Sequence, residues 1–354
     1  MTENSDQVDD DVLWRMTHSG GCARKAPALV TLDFASIAGC ANNATFMSDV
    51  GVVDFEGNTL GLTVDFITPV VPDPVRFGQI AAANALSDIY AAGMLPRFAL
   101  AIACVPEGDA TSSFARALAA GSAYLAAHDC LLVGGHSIID AEPKLGFAIV
   151  GQPNRTGRIL SEGAQPGDAL VLAKPLGVGI LTSACKAGLI PIDAMDVAIQ
   201  AMLSSNSFLP ALIESPVGDA IHSATDVTGY GLLGHLWELC IRNAVGAEVV
   251  LDSLPVLPGV RDLANAAVHT SAFRSNSEYI AGHCDPALGS LPLADQLIVT
   301  DPQTSGGLLL FVAADAVADV IAKLPDIPYR ASVIGAATIE AGVLRLTTTG
   351  CLLE

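Results

Sequence analysis

The sequence is poor in basic residues, in aromatic residues and in uninterrupted hydrophobic runs. It has 17 Lys and Arg against 37 Asp and Glu, a formal net charge of −20 and 5% aromatic residues. Because a phosphodiester backbone is bound through surplus cations, this balance excludes nucleic acid as a partner. Hydrophobic residues still make up 51% of the 354 residues, which indicates folded domains with aliphatic cores.

Charges interrupt every long apolar stretch. Arg116 and Asp129 interrupt one such stretch, and Asp315 and Asp319 interrupt another. We therefore expect no transmembrane helix and no membrane partner. The first 15 residues are acidic and lack the apolar centre of a secretory signal, so we expect a cytoplasmic location.

Cys-x-x-Cys pairs are missing among the eight cysteines, which argues against a zinc knuckle or a disulfide framework. Most cysteines lie in apolar runs and are predicted to be buried. Cys22 differs, because it lies in "HSGGCARK" beside Arg24 and Lys25. We expect these two cations to lower the pKa of Cys22 and favour its thiolate.

Predicted strands and helices alternate along the chain, which indicates an α/β (α+β) fold. One helix is predicted from residue 75 up to Gly93, a second in 110–129, and 221–243 is interpreted as a turn leading into a helix. Residues 153–168 are rich in turn formers, so a domain boundary is placed there. The predicted units are a mobile arm (1–26), an N-terminal domain (27–155) and a C-terminal domain (165–354).

No P-loop and no dinucleotide-binding glycine pattern occurs, so attention turns to aspartates. Asp49, Asp65, Asp88 and Asp226 lie in or beside apolar segments, where a bare carboxylate is costly. Asn84 and Asp88 are four residues apart and share a helix face. Each aspartate alone fits a turn or a helix cap equally well. Together they indicate a site for Mg²⁺, through which an acidic protein can bind a polyphosphate.

Two glycine pairs follow or precede predicted strands. Gly134 and Gly135 either let backbone amides approach a ligand or form a tight turn, and the turn is the favoured interpretation. His136 fits a core histidine equally well. Gly306 and Gly307 are interpreted as structural.

Seven segments, in order, resemble the selenide, water dikinase family: "HSGGCARK", "VDFITPVV", "FGQIAAANALSDIYAAG", "LVGGHSI", "AKPLGVGILTSA", "ATDVTGYGLLGHLWEL" and "DPQTSGGLLL". The resemblance runs from about residue 17 to the C-terminus. It implies a two-domain aminoimidazole ribonucleotide synthetase-like fold, with an N-terminal domain that dimerises through a β-barrel and a C-terminal α/β domain. It also implies conversion of ATP, hydrogen selenide and water to selenophosphate, AMP and phosphate.

The resemblance also implies roles for individual residues, with Cys22 and Lys25 catalytic. The implied nucleotide-binding residues are Lys25, Asp65, Asn84, Asp88, Gly134, Gly135 and His136, and the implied magnesium ligands are Asp49, Asp88 and Asp226. Mg²⁺ is the implied cofactor, ATP and selenide are the substrates, and K⁺ is inferred from relatives alone. A homodimer and selenium-delivery proteins are the implied partners.

The chain departs from the family pattern at three places: Ala23 with Arg24, Ile139 with Asp140, and residues 270–276. Two other functions therefore stay open. The first alternative to the dikinase is another ATP-dependent phosphotransferase of the same superfamily. The second is a non-catalytic selenium or nucleotide carrier. Intact aspartates and the Cys22 and Lys25 pair favour the dikinase.

Overall fold

The computed structural model describes residues 11–17, 20–26, 50–108, 110–325 and 329–348. Its first domain is built on a five-stranded sheet in the order β1-β2-β5-β3-β4, in which only β3 and β4 are parallel. The strands are β1 (Gly51–Phe55), β2 (Asn58–Ile67), β3 (Met94–Val105), β4 (Leu131–Ile139) and β5 (Lys144–Pro153).

Two long helices, α2 (Pro74–Ala91) and α3 (Ala110–Ala127), pack with each other beside this sheet. Helix α2 begins where the Asp73 carboxylate accepts a hydrogen bond from the Val75 amide, with proline in the first turn. It ends before Gly93, whose φ of 76° only glycine adopts easily, as the sequence predicts. Gly78 lets the two helices approach, because a Cβ there would lie 1.8 Å from the Ala117 oxygen.

The opposite side of the sheet, which we call the outer face, is apolar and exposed. In β2 the side chains of Leu62, Val64 and Phe66 point outward, whereas Thr63 and Asp65 point toward α2. The exposed apolar side chains of the outer face are Val53, Phe55, Leu62, Val64, Phe66, Phe98, Leu100, Leu131 and Ile138.

The second domain holds a seven-stranded sheet in the order β7-β10-β6-β11-β8-β12-β9. Its strands are β6 (Ala169–Leu172), β7 (Ile221–Asp226), β8 (Gly246–Val250), β9 (Cys284–Asp285), β10 (Leu308–Val312), β11 (Ser332–Thr338) and β12 (Leu344–Thr347). Its helices are α4 (Val178–Lys186), α5 (Asp196–Leu203), α6 (Phe208–Ile213), α7 (Gly231–Arg242), α8 (Val260–Asn265), α9 (Phe273–Ile280), α10 (Leu293–Val299) and α11 (Val317–Lys323).

The interpretation of 221–243 as a turn before a helix is wrong for its first six residues, which form β7. This strand is held by pairing with β10, a partner more than 80 residues away along the chain. A strand that depends on such a distant partner cannot be predicted from the local sequence alone. The mixed α/β class with two sheets is confirmed.

The described part of the N-terminal arm is docked in this conformation. Leu13 and Trp14, at the short helix α1 (Val12–Arg15), are buried, and the Lys186 ammonium lies 4.4 Å from the centre of the Trp14 ring. Lys186 also donates a hydrogen bond to the Thr17 hydroxyl. Mobility of residues 1–26 stays a prediction, as do the domain boundaries.

Two expectations about the whole chain can be checked in the described residues. None of the helices in these ranges is both long and apolar enough to cross a bilayer. The six cysteines within them are all free thiols, so no disulfide is present in this part of the chain. Cys104, Cys130 and Cys240 are buried, as predicted.

Candidate functional site

A row of polar side chains joins β2 to α2. Thr63 and Asp65 lie on the same face of β2, and Asn84 and Asp88 lie one helical turn apart on α2. The Thr63 hydroxyl donates to Asp88 Oδ2 at 2.6 Å, and Asn84 Nδ2 donates to Asp65 Oδ2 at 2.5 Å. The structure thus brings together three of the residues named from the sequence, all on the inner side of the sheet.

The second domain contributes Asp226, which ends β7 and is fully buried. Its Oδ2 accepts a 2.6 Å hydrogen bond from the Ser87 hydroxyl of α2. Asn206 donates to Ser87 Oγ at 2.8 Å and to the Gly306 carbonyl at 3.0 Å. Helix α2 therefore links the polar groups of the two domains. Ser87 bonds to Asp226 of the second domain, and the next residue, Asp88, bonds to Thr63 of the first.

The arm joins the same network at Cys22, which forms one 3₁₀ turn with Ala23 and Arg24. The Cys22 amide donates to Thr304 Oγ1 at 3.0 Å, and its thiol lies 3.5 Å from Asn84 Oδ1. That amide oxygen also accepts from the Ser305 backbone amide at 2.7 Å. Asn84 is consequently the point at which arm, first domain and second domain meet.

The expected lowering of the Cys22 pKa is wrong for this conformation. Burial raises the pKa well above the usual thiol range, the negative charge of Asp65 raises it further, and Lys25 only partly offsets both. Arg24 instead turns away to pair with Glu142 at 3.2 Å. Cys22 is thus held as a neutral thiol when the arm is docked.

A cavity of about 410 Å³ opens beside the arm, a size in the range of small-molecule sites. Arm residues 21–26 form one wall, residues 64–68 of β2 and its end form another, and Glu142 and Lys144 form the rim. Its charged lining residues are three cations, Arg24, Lys25 and Lys144, and two carboxylates, Asp65 and Glu142. Asp65 connects the cavity with the polar network.

Several residues of this site were missed from the sequence. Thr304 and Ser305 belong to "DPQTSGG", in which Gly306 and Gly307 are tightly packed: a Cβ on Gly306 would lie 1.8 Å from the Val227 oxygen. The buried ammonium of Lys174 donates to the Ser204 and Ser305 carbonyls at 2.6 and 2.9 Å. Burial lowers the pKa of Lys174 to about 7, against an opposing effect of Asp226. The sequence offered one signal for Thr304 and Ser305: they belong to a run of polar residues directly before an apolar strand.

The beginning of "DPQTSGG" has a structural role. Gln303 Oε1 accepts from the Gly177 and Val178 amides at 3.1 Å each, and Asp301 Oδ2 accepts from Gly179 at 3.0 Å. These bonds satisfy amide groups at the start of α4, which have no partner within the helix. Burial raises the pKa of Asp301 to about 7.

Gly134, Gly135 and His136 lie within β4. The interpretation of the two glycines as a tight turn is therefore wrong, and so is that of His136 as a core residue. All three are exposed, at the edge of the sheet. Gly135 is in register with Ala101, Phe147 and then Asp65 across β3, β5 and β2. Three strand spacings separate it from Asp65 by about 14 Å. Within one chain these residues are therefore remote from the Asp65 and Asp88 network.

The donor set suits a hard cation such as Mg²⁺. Asp88 and Asp226 are buried carboxylates, and each accepts a hydrogen bond from a hydroxyl group, that of Thr63 or Ser87. Asp49, the third implied ligand, lies outside the described residues. Within the described ranges no three His, Cys, Asp or Glu side chains form a ready metal cluster.

The remaining departures from the family pattern lie near the rim and behind α7. Asp140 accepts from the Glu142 amide at 3.1 Å and from Lys144 at 3.0 Å, and these hydrogen bonds lower its pKa. Asn276 donates to the Gly229 and Thr300 carbonyls, each at 3.0 Å. Arg274 pairs only with Glu278 among the contacts seen, on the surface.

Comparison with known proteins gives consistent matches for both domains. The family of AIR synthase related proteins matches with its N-terminal domain over residues 47–152 and with its C-terminal domain over 165–345. A selenide, water dikinase of Carboxydothermus hydrogenoformans is 37% identical, covering 79% of this chain and 80% of its own length. One of Paraburkholderia xenovorans is 38% identical, covering 92% of each.

A solved structure shows the same fold at lower identity. Hydrogenase maturation protein HypE in complex with ATP superposes with a TM-score of 0.61 and 18% identity, covering 89% of this chain and 93% of that one. At this identity the likeness concerns the fold.

Proposed function

The chain belongs to the selenide, water dikinase family, and on that premise we propose that the docked arm and the Asp65–Asn84–Asp88 row form its active site. The reaction converts ATP, selenide and water to selenophosphate, AMP and phosphate. The observation that carries the assignment is the contact of Cys22 with Asn84, beside a cavity lined by Lys25 and Asp65.

Mg²⁺ would be held by Asp88 and Asp226, with Asp49 as the third ligand. When bound, the metal neutralises these carboxylates and offers its other positions to phosphate oxygens. Thr63 and Ser87 fix the orientation of the two carboxylates through 2.6 Å hydrogen bonds. The side chains are thereby held in place before any ligand arrives.

Lys25 and Cys22 have separate roles in the proposed reaction. The Lys25 ammonium at the cavity stabilises negative charge on the phosphoryl group as it is transferred. Cys22, held neutral by burial and fixed by Asn84 and Thr304, positions the selenium nucleophile and closes the cavity against water. In this proposal ATP and selenide are the substrates, Mg²⁺ is the cofactor, and the reaction takes place in the cytoplasm. The proposal also includes K⁺ as a second cation and a protein that delivers selenium.

The outer face fits a homodimer. Its apolar side chains are exposed in one chain, and a second copy would cover them by closing a barrel. In such a dimer the β4 edge of one chain reaches the partner, so Gly134, Gly135 and His136 serve the nucleotide site of the other copy. This arrangement accounts for their separation from Asp65 within one chain.

The test is selenide-dependent release of AMP from ATP and Mg²⁺ under anaerobic conditions. We expect AMP and phosphate in equal amounts from the wild type, and at least a hundredfold loss in Asp226→Asn. Asp252→Asn, at an aspartate of the second domain outside the network, is the matched control and keeps wild-type activity. ADP as the product, independent of selenide, would instead support a simple phosphotransferase.

A further inference from the structure

The Lys25 side chain is held against the residues that precede α7. Its ammonium lies 4.6 Å from the centre of the Tyr230 ring, a distance at which a cation is attracted to an aromatic face. The aliphatic part of Lys25 passes over Gly229. A Cβ at Gly229 would lie 2.7 Å from Lys25 Cδ and 3.1 Å from Lys25 Cβ, so the missing side chain leaves the space that Lys25 occupies.

The Tyr230 ring is itself fixed from behind. It is 8% exposed and stacks on His235, with ring centres 5.5 Å apart and planes inclined by 28°. The Tyr279 ring lies 5.6 Å from it between ring centres, inclined by 51°, and its hydroxyl donates a hydrogen bond to Glu238. A ring that is packed in this way presents one fixed face to the ammonium.

The backbone of the arm is anchored separately. Gly21 donates to the Thr68 carbonyl at 3.1 Å, Cys22 donates to Thr304, and Arg24 pairs with Glu142. These contacts place the Cα of Lys25. The Tyr230 ring and the bare surface of Gly229 border its four-carbon side chain and contribute to its direction.

Resting on the proposed function, we propose that Tyr230 is a positioning residue for Lys25. Its ring face and the bare Gly229 surface hold the ammonium at the cavity wall, where the proposed function places the phosphates of the nucleotide. The ring contributes through its face, so the phenol hydroxyl is dispensable and another aromatic residue can substitute. Tyr230 acts through Lys25 and does not touch the reacting atoms.

The experiment compares Tyr230→Phe, Tyr230→Leu and Gly229→Ala in the full-length protein. Tyr329→Leu is the packing control, at a tyrosine that donates a hydrogen bond to the Val197 carbonyl of α5. Reductive methylation of Lys25 is followed by mass spectrometry, with exposed Lys323 as the reference in the same molecule. We expect Tyr230→Leu and Gly229→Ala to raise the Lys25 rate severalfold and to lower kcat between about twofold and thirtyfold. KM for ATP should change less than kcat.

Tyr230→Phe should keep wild-type Lys25 labelling and kcat within about twofold, and Tyr329→Leu should leave both unchanged. Equal effects of Tyr230→Leu and Tyr329→Leu would overturn the proposal, because they would show a general packing role. Unchanged Lys25 labelling in both Tyr230→Leu and Gly229→Ala would also overturn it. A wild type that releases no AMP would refute the proposed function alone, since labelling still reports on Lys25.

Discussion

A single amide, Asn84, connects three separate parts of the chain. Its nitrogen donates to Asp65, and its oxygen accepts from Ser305 and approaches the Cys22 thiol. An aspartate at this position would replace the donor by a carboxylate oxygen facing another carboxylate. Burial makes this repulsion expensive, because Asn84 is 1% exposed.

We expect Asn84→Asp to destabilise the protein by about 2 to 3 kcal/mol at neutral pH and to lower kcat at least a hundredfold. Urea denaturation and AMP release measure the two effects. Asn58→Asp is the matched control, because Asn58 is exposed at the β1–β2 turn and should alter neither. Equal behaviour of the two variants would contradict the role of Asn84.

The raised pKa of Cys22 gives a second prediction for a single residue. A thiol whose pKa is raised keeps its proton as the pH rises, so alkylation of docked Cys22 should be slow at neutral pH and should still be increasing at about pH 10. Thr304→Val removes the acceptor of the Cys22 amide and should accelerate labelling at every pH. Thr347→Val, on β12 of the second domain, is the control. Half-maximal labelling of the wild type near pH 8 would contradict a neutral, buried thiol.

At the scale of elements, the site depends on the position of α2, which carries Asn84, Ser87 and Asp88 to three partners. Its contact with α3 passes through Gly78, where the backbone of Ala117 leaves no room for a methyl group. Shifting α2 by a fraction of an ångström would move all three polar side chains together.

Gly78→Ala should therefore lower the free energy of unfolding by about 3 kcal/mol, or prevent folding. Gly282→Ala is the matched control, because a Cβ at Gly282 meets nothing within 4 Å. Urea denaturation of both variants measures the difference. A Gly78→Ala protein as stable as Gly282→Ala would show that α2 and α3 are packed less tightly than described.

Local pattern was sufficient for some elements and insufficient for others. The helical periodicity and Gly93 located α2, and the spacing of Asn84 and Asp88 placed both on one face. Pairing of β7 with β10 and the burial of Cys22 beside Asp65 depend on partners distant in sequence. For that reason the strand was missed and the direction of the Cys22 pKa shift was predicted wrongly.

At the scale of the whole molecule, β2 reverses the usual arrangement of an amphipathic strand. Leu62, Val64 and Phe66 are exposed, while Thr63 and Asp65 face α2. The sequence shows the alternation but not which face meets solvent. The apolar outer face is explained if a second copy covers it.

Leu131→Glu places a charge on this face and should convert a dimer to a monomer in sedimentation equilibrium. Leu189→Glu, at a residue equally exposed but after α4 in the second domain, should leave the dimer intact. Because the partner's β4 edge is then lost from the nucleotide site, Leu131→Glu should also reduce AMP release. A wild-type monomer would contradict both the dimer and the shared site.

The most direct test of the central claim is phosphorus NMR of the wild-type protein with ATP, Mg²⁺ and selenide under anaerobic reducing conditions, beside Lys25→Ala. A selenophosphate resonance that grows together with AMP in the wild type, and is absent from Lys25→Ala, is the predicted result. ADP as the only new nucleotide, or an unchanged ATP spectrum in the wild type, would contradict it.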